Sequence, residues 1–398
     1  MKFDIFFSIC QSEIEERKPS EAQMFRNFLE QVELADTLGF GTAWVAETHL
    51  SSEIQKQNKG AVIPYFKGEV GLNTDIFQLA HIVFSKTKKI NVGSAICNIL
   101  CNGGPIARAE SVKTFLSLHK AAHPDNQRVL ELGFASGRFP YINTAYGIHA
   151  RNDMEKKAWP VLSRKVFAEA AEIFIRFVRG DIFNSSDVAM KTLQRDDFSS
   201  KKEWQEILQA YGKDVEKINI PSFWNFQQVG VIPFEAPLEN LRLTVGTHEA
   251  SIQKMVNTFW PCNVFNLSIT SLEVIESVHE RMQKHFHPKG GEWKRENMPR
   301  TALIFIDEDS VNAHKMAAVS NEIYLSAMSK TLDPDKVKKA VNNALVGNVE
   351  EVTQKIKERF HPEDRLMCWF DFNNHNSATV MKSMKLFMEE VAPNFQNL

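Results

Sequence analysis

The sequence predicts an α/β fold, a TIM barrel of eight parallel strands that are each followed by a helix. Along 398 residues, short apolar strand-like segments alternate with amphipathic helical segments. Alternation of this kind implies a parallel sheet covered by helices, and eight repeats is the number that closes a barrel. A doubly wound open sheet is the alternative architecture.

The first half of the chain supplies four of these repeats. A strand is predicted in KFDIFFSI (2–9), and a helix follows from Ser20, which can form a capping box with Gln23. Gly39 ends this helix, as a glycine after the last turn often does. The remaining elements of this half are a strand at 42–46, a helix at 75–85, a strand at 90–96, a helix at 105–121 and a strand at 128–135.

Two insertions interrupt the repeats. After a long helix predicted at 159–180, residues 183–238 show no sustained period and several prolines, so we interpret them as an insertion between strands four and five. A helix is expected within it at 201–212. A polar insertion is also predicted after strand two, near 51–73. The last strands are predicted at 241–246, 262–268, 301–307 and 365–372, so residues 1–398 form a single barrel domain.

Composition and charge argue against several classes of protein. The net charge of −2 provides no basic surface for nucleic acid. No apolar run reaches the 18 residues of a spanning helix, and no apolar signal-peptide core follows Met1, so neither a membrane nor export is expected. The five cysteines are scattered and odd in number, which favours a reducing, cytoplasmic location.

Polar residues at the end of strand two form the first candidate site. In a TIM barrel the functional site lies at the carboxyl ends of the strands. The stretch GFGTAWVAETHL (39–50) ends with Glu47, Thr48 and His49, which would therefore lie on the rim of the site. The alternative is that these side chains only solvate a turn.

The ends of strands four and five predict an anion site. Ser136 and Arg138 follow strand four, while Thr247, His248 and Ser251 lie where strand five meets a helix. The free backbone N–H groups at a helix start favour phosphate. The alternative is that Thr247 only caps its helix.

Other motifs that could carry chemistry are absent or incomplete. His119 and His123 lie four residues apart on a helix but lack the H-E-x-x-H pattern, so we predict no metal site. GFGTAW lacks the third glycine of a dinucleotide fingerprint, and no P-loop occurs.

These residues lie in stretches that resemble the bacterial-luciferase-like, flavin-dependent monooxygenases. The matching stretches keep the family's order: MKFDIFFSICQ, GFGTAWVAETHL, INVGSAI, RVLELGFASG, VGTHEAS, and the closing VGNVEEV and MKSMKLFMEEVAPNF. The resemblance implies a TIM barrel that holds reduced FMN at its C-terminal face. It also implies that O2 is used to oxidise a small, apolar organic substrate, and that the chain forms a homodimer.

The resemblance also implies roles for individual residues. Glu47 and His49 match the first and last members of the family's catalytic motif, and Thr48 stands where luciferase has its catalytic histidine, which argues against light emission. The resemblance further implies a non-proline cis peptide between Ala95 and Ile96 at the flavin.

The same resemblance suggests the cofactor contacts. The family's phosphate arginine falls at Ser136, and Arg138 is the candidate substitute. Phe134, Trp44, Trp369 and Phe370 are candidate walls of the flavin cavity, although core packing is the commoner role for such side chains.

Alternative functions remain open. A deazaflavin-dependent hydride-transfer oxidoreductase shares the fold and family, and the departure at Thr48 would also suit a flavin-binding protein without turnover. Outside the family, a sugar- or phosphate-processing barrel is the alternative. Because no nicotinamide fingerprint exists, we expect a separate flavin reductase to supply the reduced FMN.

Overall fold

The computed structural model describes residues 1–14, 17–52, 68–328 and 342–395. Its main feature is a curled sheet of parallel strands. Eight of them correspond to the predicted repeats: β1 Lys2–Phe7, β2 Thr42–Val45, β3 Asn91–Asn98, β4 Leu130–Ala135, β5 Leu241–Val245, β6 Cys262–Val264, β7 Arg300–Ile306 and β8 Arg365–Trp369. Their hydrogen-bonded order is β6-β5-β4-β3-β2-β1-β8-β7, and a ninth short strand, Leu345–Gly347, pairs with β7.

The regular ladder stops between β6 and β7. A single parallel bridge spans this seam and joins Asn266 to Arg300. The Asn266 N–H donates to the carbonyl of Pro299 at 2.9 Å, and the Thr301 N–H donates to the carbonyl of Asn266 at 3.1 Å. The predicted TIM-barrel class is confirmed, with the ladder incomplete at this one place.

The described residues form eleven α-helices. Their bounds are α1 Glu21–Leu38, α2 Ile76–Lys86, α3 Gly104–Ala122, α4 Pro140–Ala145, α5 Asp153–Val178, α6 Lys201–Tyr211, α7 Ala250–Phe259, α8 Leu272–His285, α9 Ser310–Met328, α10 Val349–Arg359 and α11 Ser377–Leu386. The predicted ends of α1 are confirmed, because the Ser20 side chain accepts from the Gln23 N–H and Gly39 has a φ of 85°.

Helix α5 begins earlier than the sequence suggested. The helix predicted from the sequence starts at residue 159. Instead the Asn152 side chain accepts from the Glu155 N–H and caps the helix, and Pro160 lies in its interior. The buried side chains of Met154 and Ala158 anchor the additional turns to the core.

The 183–238 segment folds against α5. Its strands Lys191–Gln194 and Lys217–Ile220 pair antiparallel, and α6 falls within the predicted helical stretch. The Lys191 Nζ lies 2.6 Å from the Glu169 carboxylate of α5. The insertion predicted near 51–73 lies mostly outside the described residues, apart from a short pairing of Gly68–Glu69 with Gln11–Ser12.

A group of polar side chains fills the lower, N-terminal part of the barrel interior. The Arg365 Nε lies 2.6 Å from Asp4 Oδ2, and its guanidinium also donates to Glu131. The Thr42 hydroxyl donates to Glu131 at 2.6 Å, and the Trp44 indole N–H donates to Asp4 at 2.7 Å. We call these five side chains the ionic plug.

The plug holds two carboxylates around one cation. Burial raises the pKa of Asp4 to about 6, although Arg365 opposes this shift. Burial acts in the same direction on Glu131, but there the attraction of Arg365 and its hydrogen bonds prevail and lower the pKa. Arg365 is therefore the charge that makes both buried carboxylates tolerable.

Replacing Arg365 with methionine should destabilise the fold by about 3–5 kcal/mol, because it leaves buried carboxylates without a cation. The loss should be larger at pH 8 than at pH 5. Carboxyl groups whose pKa is raised take up protons at the lower pH and cease to be buried charges, so stability falls as the pH rises. Free energies of unfolding in urea at both pH values measure this.

The control for this prediction is Lys382→Met, which removes only exposed ion pairs to Asp307 and Glu308. It should change the free energy of unfolding by less than about 1 kcal/mol. Equal losses for Arg365→Met at pH 5 and pH 8 would contradict the prediction.

Candidate active site

A cavity of about 610 Å³ opens at the C-terminal end of the barrel, where the sequence places its candidate site. Side chains alternate along each strand, so every second residue faces the interior. The ends of β2 to β5 contribute small residues: Ala46, Ala95, Ala135 and Gly246. The remaining strands and the loops after them contribute large aromatic residues: Phe6, Phe265, Trp369 and Phe372. The cavity therefore has a small-residue wall and an aromatic wall.

Gly246 is needed to keep the small-residue wall flat. A Cβ at this position would lie 2.5 Å from the Ile96 Cδ1 and 3.2 Å from the Ala135 Cβ. Any side chain here would force its neighbours apart or enter the cavity. The peptide between Ala95 and Ile96 in the same wall is cis, as the family resemblance implied.

The turn after β4 is fixed by an amide network. Gly137 has a φ of 75°, and a Cβ there would lie 2.2 Å from the Asn98 side-chain nitrogen. The Asn98 amide donates to the Asn143 side chain at 2.8 Å, and the Asn143 amide donates to the Ser136 carbonyl at 2.8 Å. The turn thus presents Ser136 and Arg138 to the cavity in a defined position.

His49 belongs to a buried cluster in the cavity wall. Its Nε2 lies 3.0 Å from Glu47 Oε1 and 3.0 Å from Arg108 Nη2, and Arg108 Nη2 lies 3.0 Å from Glu47 Oε1. The side chains of His49, Glu47 and Arg108 are 5%, 0% and 2% exposed. Burial lowers the pKa of His49, but hydrogen bonds to Cys101 and Glu47 outweigh it and raise the pKa to about 9.

Arg108 was not predicted from the sequence. It lies in the first turns of α3, on the buried stripe that also carries Pro105, Val112 and Phe115. A charged residue within such an apolar stripe is the signal that could have revealed it, because a buried arginine requires a partner.

A second cavity of about 350 Å³ adjoins the first. Both are lined by Ser136, Gly137, Arg138 and Gly246. The smaller one adds polar groups, among them Asn143, Thr144, Ser163, Arg164 and Thr247, beside apolar side chains such as Trp159 and Phe167. Arg164 of α5 was not predicted, because an exposed arginine on a helix has no distinctive sequence pattern. It forms an ion pair with Glu249 at 2.9 Å.

The structure brings most of the predicted residues together. The main cavity is lined by Glu47, Thr48, His49, Ala95, Ile96, Ser136 and Arg138, and Thr247 lines the smaller one. Trp369 lies in the aromatic wall, whereas Trp44 lies below the cavity in the ionic plug. Phe370 does not line the cavity, and its ring packs against Phe40 and Phe387 in the core.

Three predicted cofactor contacts lie elsewhere. Phe134 faces outward, because β4 turns Gly133 and Ala135 to the interior, and its ring packs 5.4 Å from that of Phe174 in α5. His248 lines neither cavity, and its Nε2 lies 3.0 Å from the Asn266 side-chain oxygen. Ser251 is exposed in the first turn of α7 and also lines neither cavity.

The described residues contain no group of three His, Cys, Asp or Glu side chains that could hold a metal ion. Within the same residues, no helix has the length and apolar character needed to cross a membrane.

The pH dependence of the free energy of unfolding should show that the folded protein binds a proton tightly at His49. Its pKa is 6.5 in the unfolded chain and about 9 in the folded one, so the folded state binds the proton more tightly. The resulting stability is complete below pH 6.5 and is lost as the pH rises through 9. His49→Gln should flatten the free energy of unfolding, measured in urea, across this range.

The exposed His149 provides the control, because His149→Gln should leave the pH dependence as it is in the unaltered protein. An unchanged slope in His49→Gln would show that the buried cluster does not hold the proton.

Comparisons with known proteins test the family resemblance that the sequence suggested. The family model described as luciferase-like monooxygenase matches residues 1–181. A search of curated proteins finds no match. Similar solved structures include monooxygenase RslO1 from Streptomyces bottropensis, with 17% identity, a TM-score of 0.69 and coverage of 99% of this chain and 100% of that one.

Two further structures share the fold over nearly the whole chain. The oxygenating constituent of 3,6-diketocamphane monooxygenase from Pseudomonas putida, in complex with FMN, has 14% identity, a TM-score of 0.60 and 99% coverage of both chains. An F420-dependent secondary alcohol dehydrogenase, in complex with an F420–acetone adduct, has 12% identity, a TM-score of 0.56 and 98% coverage of both chains. Residues 1–181 therefore carry the luciferase-like monooxygenase family match that the sequence resemblance implied, and the whole chain has the fold of these oxidoreductases.

Proposed function

We propose that this protein is a flavin-dependent monooxygenase that uses reduced FMN and O2 to oxidise a small, apolar organic substrate. The observation that carries the proposal is the pair of adjoining cavities, one largely apolar and one with a larger share of polar groups, that share the turn from Ser136 to Arg138. A ring system suits the first cavity and a phosphate suits the second.

The main cavity fits a flat ring beside an apolar substrate. Its small-residue wall, with Ala95 and Gly246, leaves space for the ring, and its aromatic wall, with Phe6 and Trp369, excludes water. Reduced flavin, when bound, supplies the electrons that activate molecular oxygen. The protein binds the flavin, orients it and keeps water out of the site.

The smaller cavity fits the phosphate of FMN. Ser136 and Thr247 offer hydroxyl donors there, and Arg138 and Arg164 offer guanidinium groups. Arg164 is half-exposed and paired with Glu249, so it can exchange that carboxylate for a phosphate oxygen. These residues would orient the ring by holding the far end of the cofactor.

His49 and Thr48 supply the polar chemistry of the main cavity. The pKa of about 9 keeps the His49 imidazole protonated near neutral pH, so it can give a proton to an oxygen atom in the cavity. The Thr48 hydroxyl, which lies beside it in the wall, can donate or accept a hydrogen bond. Glu47, the third residue that the sequence predicted to be catalytic, holds His49 in place.

A deazaflavin-dependent hydride transfer is the second candidate. The specific observation in its favour is the likeness to the F420-dependent dehydrogenase, which covers 98% of this chain. Only the monooxygenase consumes O2 when it forms product, so oxygen uptake separates the two. A flavin-binding protein without turnover would bind FMN and form no product.

FMN should bind more tightly than riboflavin, which lacks the phosphate. Arg164→Met should weaken FMN binding roughly tenfold to a hundredfold, the effect of one charge-assisted hydrogen bond. Riboflavin binding should not change, because that ligand does not reach the smaller cavity. Anaerobic titration of the reduced forms, followed by protein fluorescence, measures both affinities.

Arg26→Met is the control, since Arg26 lies on the exposed face of α1 and lines neither cavity. Equal affinities for FMN and riboflavin in the unaltered protein would count against a phosphate site.

We also propose that a separate reductase supplies reduced FMN and that the chain works as a homodimer. Mixed anaerobically with FMN and NADH or NADPH, the protein alone should leave the flavin absorbance unchanged, and bleaching should begin only when a flavin reductase is added. Admission of O2 with a panel of ketones, aldehydes and alkanes should then give an oxygenated product.

Rapid bleaching without the reductase would show that the chain reduces flavin itself. Oxygen-independent turnover with F420 in place of FMN would favour the second candidate.

A further inference from the structure

We infer that Arg108 and Glu47 are positioning residues for His49, which hold its ring in the cavity wall and give Nε2 a hydrogen-bond partner in both protonation states of the imidazole. The positioning of His49 requires no assumption about the reaction. Only the use of its proton in catalysis rests on the proposed function.

The distances around Nε2 carry this inference. The guanidinium of Arg108 can only donate and the carboxylate of Glu47 can only accept, yet each lies 3.0 Å from His49 Nε2. One nitrogen cannot use both partners at once. A ring with a free lone pair on Nε2 accepts from Arg108, and a ring with a proton on Nε2 donates to Glu47.

The two partners also support each other. Arg108 Nη2 lies 3.0 Å from Glu47 Oε1, so the carboxylate keeps a donor while the ring is deprotonated at Nε2, and the guanidinium keeps an acceptor while the ring is protonated there. A buried polar group without a partner is costly, and this arrangement avoids that penalty in both states. The imidazole can therefore gain or lose a proton with little rearrangement around it.

The cluster is not arranged as a fully satisfied structural ion pair. The second carboxylate oxygen of Glu47 and the Nε of Arg108 are buried and make no hydrogen bond among the described residues. A bidentate arginine–carboxylate pair would use such groups. Instead, the three short contacts of the cluster join one carboxylate oxygen of Glu47, one guanidinium nitrogen of Arg108 and the Nε2 of His49.

Each positioning residue comes from a different element. Glu47 follows β2 and is only two residues from His49, whereas Arg108 projects from α3. The other titratable groups around the cluster are Cys97, which lies beside Glu47 and Arg108, Cys101, whose hydrogen bond raises the pKa of His49, and Tyr146, whose ring packs edge-on at 6.4 Å. Glu47 favours the imidazolium and Arg108 opposes it, so their removal should have opposite effects.

The test measures the pKa of the His49 ring by NMR, in protein labelled with 13C at the histidine Cε1 and without any cofactor. His49→Gln identifies the resonance. Glu47→Gln should lower the pKa and Arg108→Met should raise it, each by roughly one unit or more. The matched control is Arg295→Met, which removes a buried, ion-paired arginine that lines neither cavity, and it should leave the His49 pKa unchanged.

Shifts in the same direction, or shifts no larger than that of the control, would overturn the inference. If Arg108→Met does not fold, Arg108→Gln removes the charge but keeps an N–H donor, and it should also raise the pKa. The measurement needs no turnover, so a protein without monooxygenase activity would refute the proposed function and leave this result standing. In an active enzyme, the pH profile of product formation should move with the ring pKa in each variant.

Discussion

The interior of the barrel depends on Arg365 and the two carboxylates around it. Asp4 and Glu131 come from strands that are not neighbours, and Arg365 joins them across the lumen. A slip of one residue in β8 would replace the cation with Leu366 and bury two unpaired charges. The ion pairs therefore fix strand register at one end of the barrel and provide the base on which the cavity at the other end is built.

The cavity exists because side-chain size differs between the two halves of the sheet. Within the plug, Trp44 lies against Gly93, where a Cβ would approach the indole to 2.6 Å, and fills the middle of the barrel. The next interior positions on β2 to β5 carry alanine or glycine, so nothing fills the space above that indole. Aromatic side chains from the other strands enclose the same space without occupying it.

Sequence reasoning recovered what depends on local pattern. The strand starts and the polar ends at Glu47 and Ser136 follow from apolar runs and their interruption, and the structure places those ends on one cavity. Strands β6 and β8 end earlier than predicted, at Val264 and Trp369. Phe134 was misplaced because a fully buried strand is apolar on both faces, so its sequence does not show which residues point inward. Arg108 and Arg164 reach the site from helices, and only the folded packing of α3 and α5 brings them there.

The seam between β6 and β7 gives the barrel a weak side. Each neighbouring pair of strands from β1 to β5 is joined by a ladder of several residue pairs, with one register shift between Ser94 and Cys97 of β3, whereas one bridge at Asn266 holds the seam. Local opening follows the lowest density of backbone hydrogen bonds, so breathing motions should concentrate beside Phe265 and Leu267 in the cavity lining. The aromatic side of the cavity is therefore the side whose backbone is held by the fewest hydrogen bonds between strands.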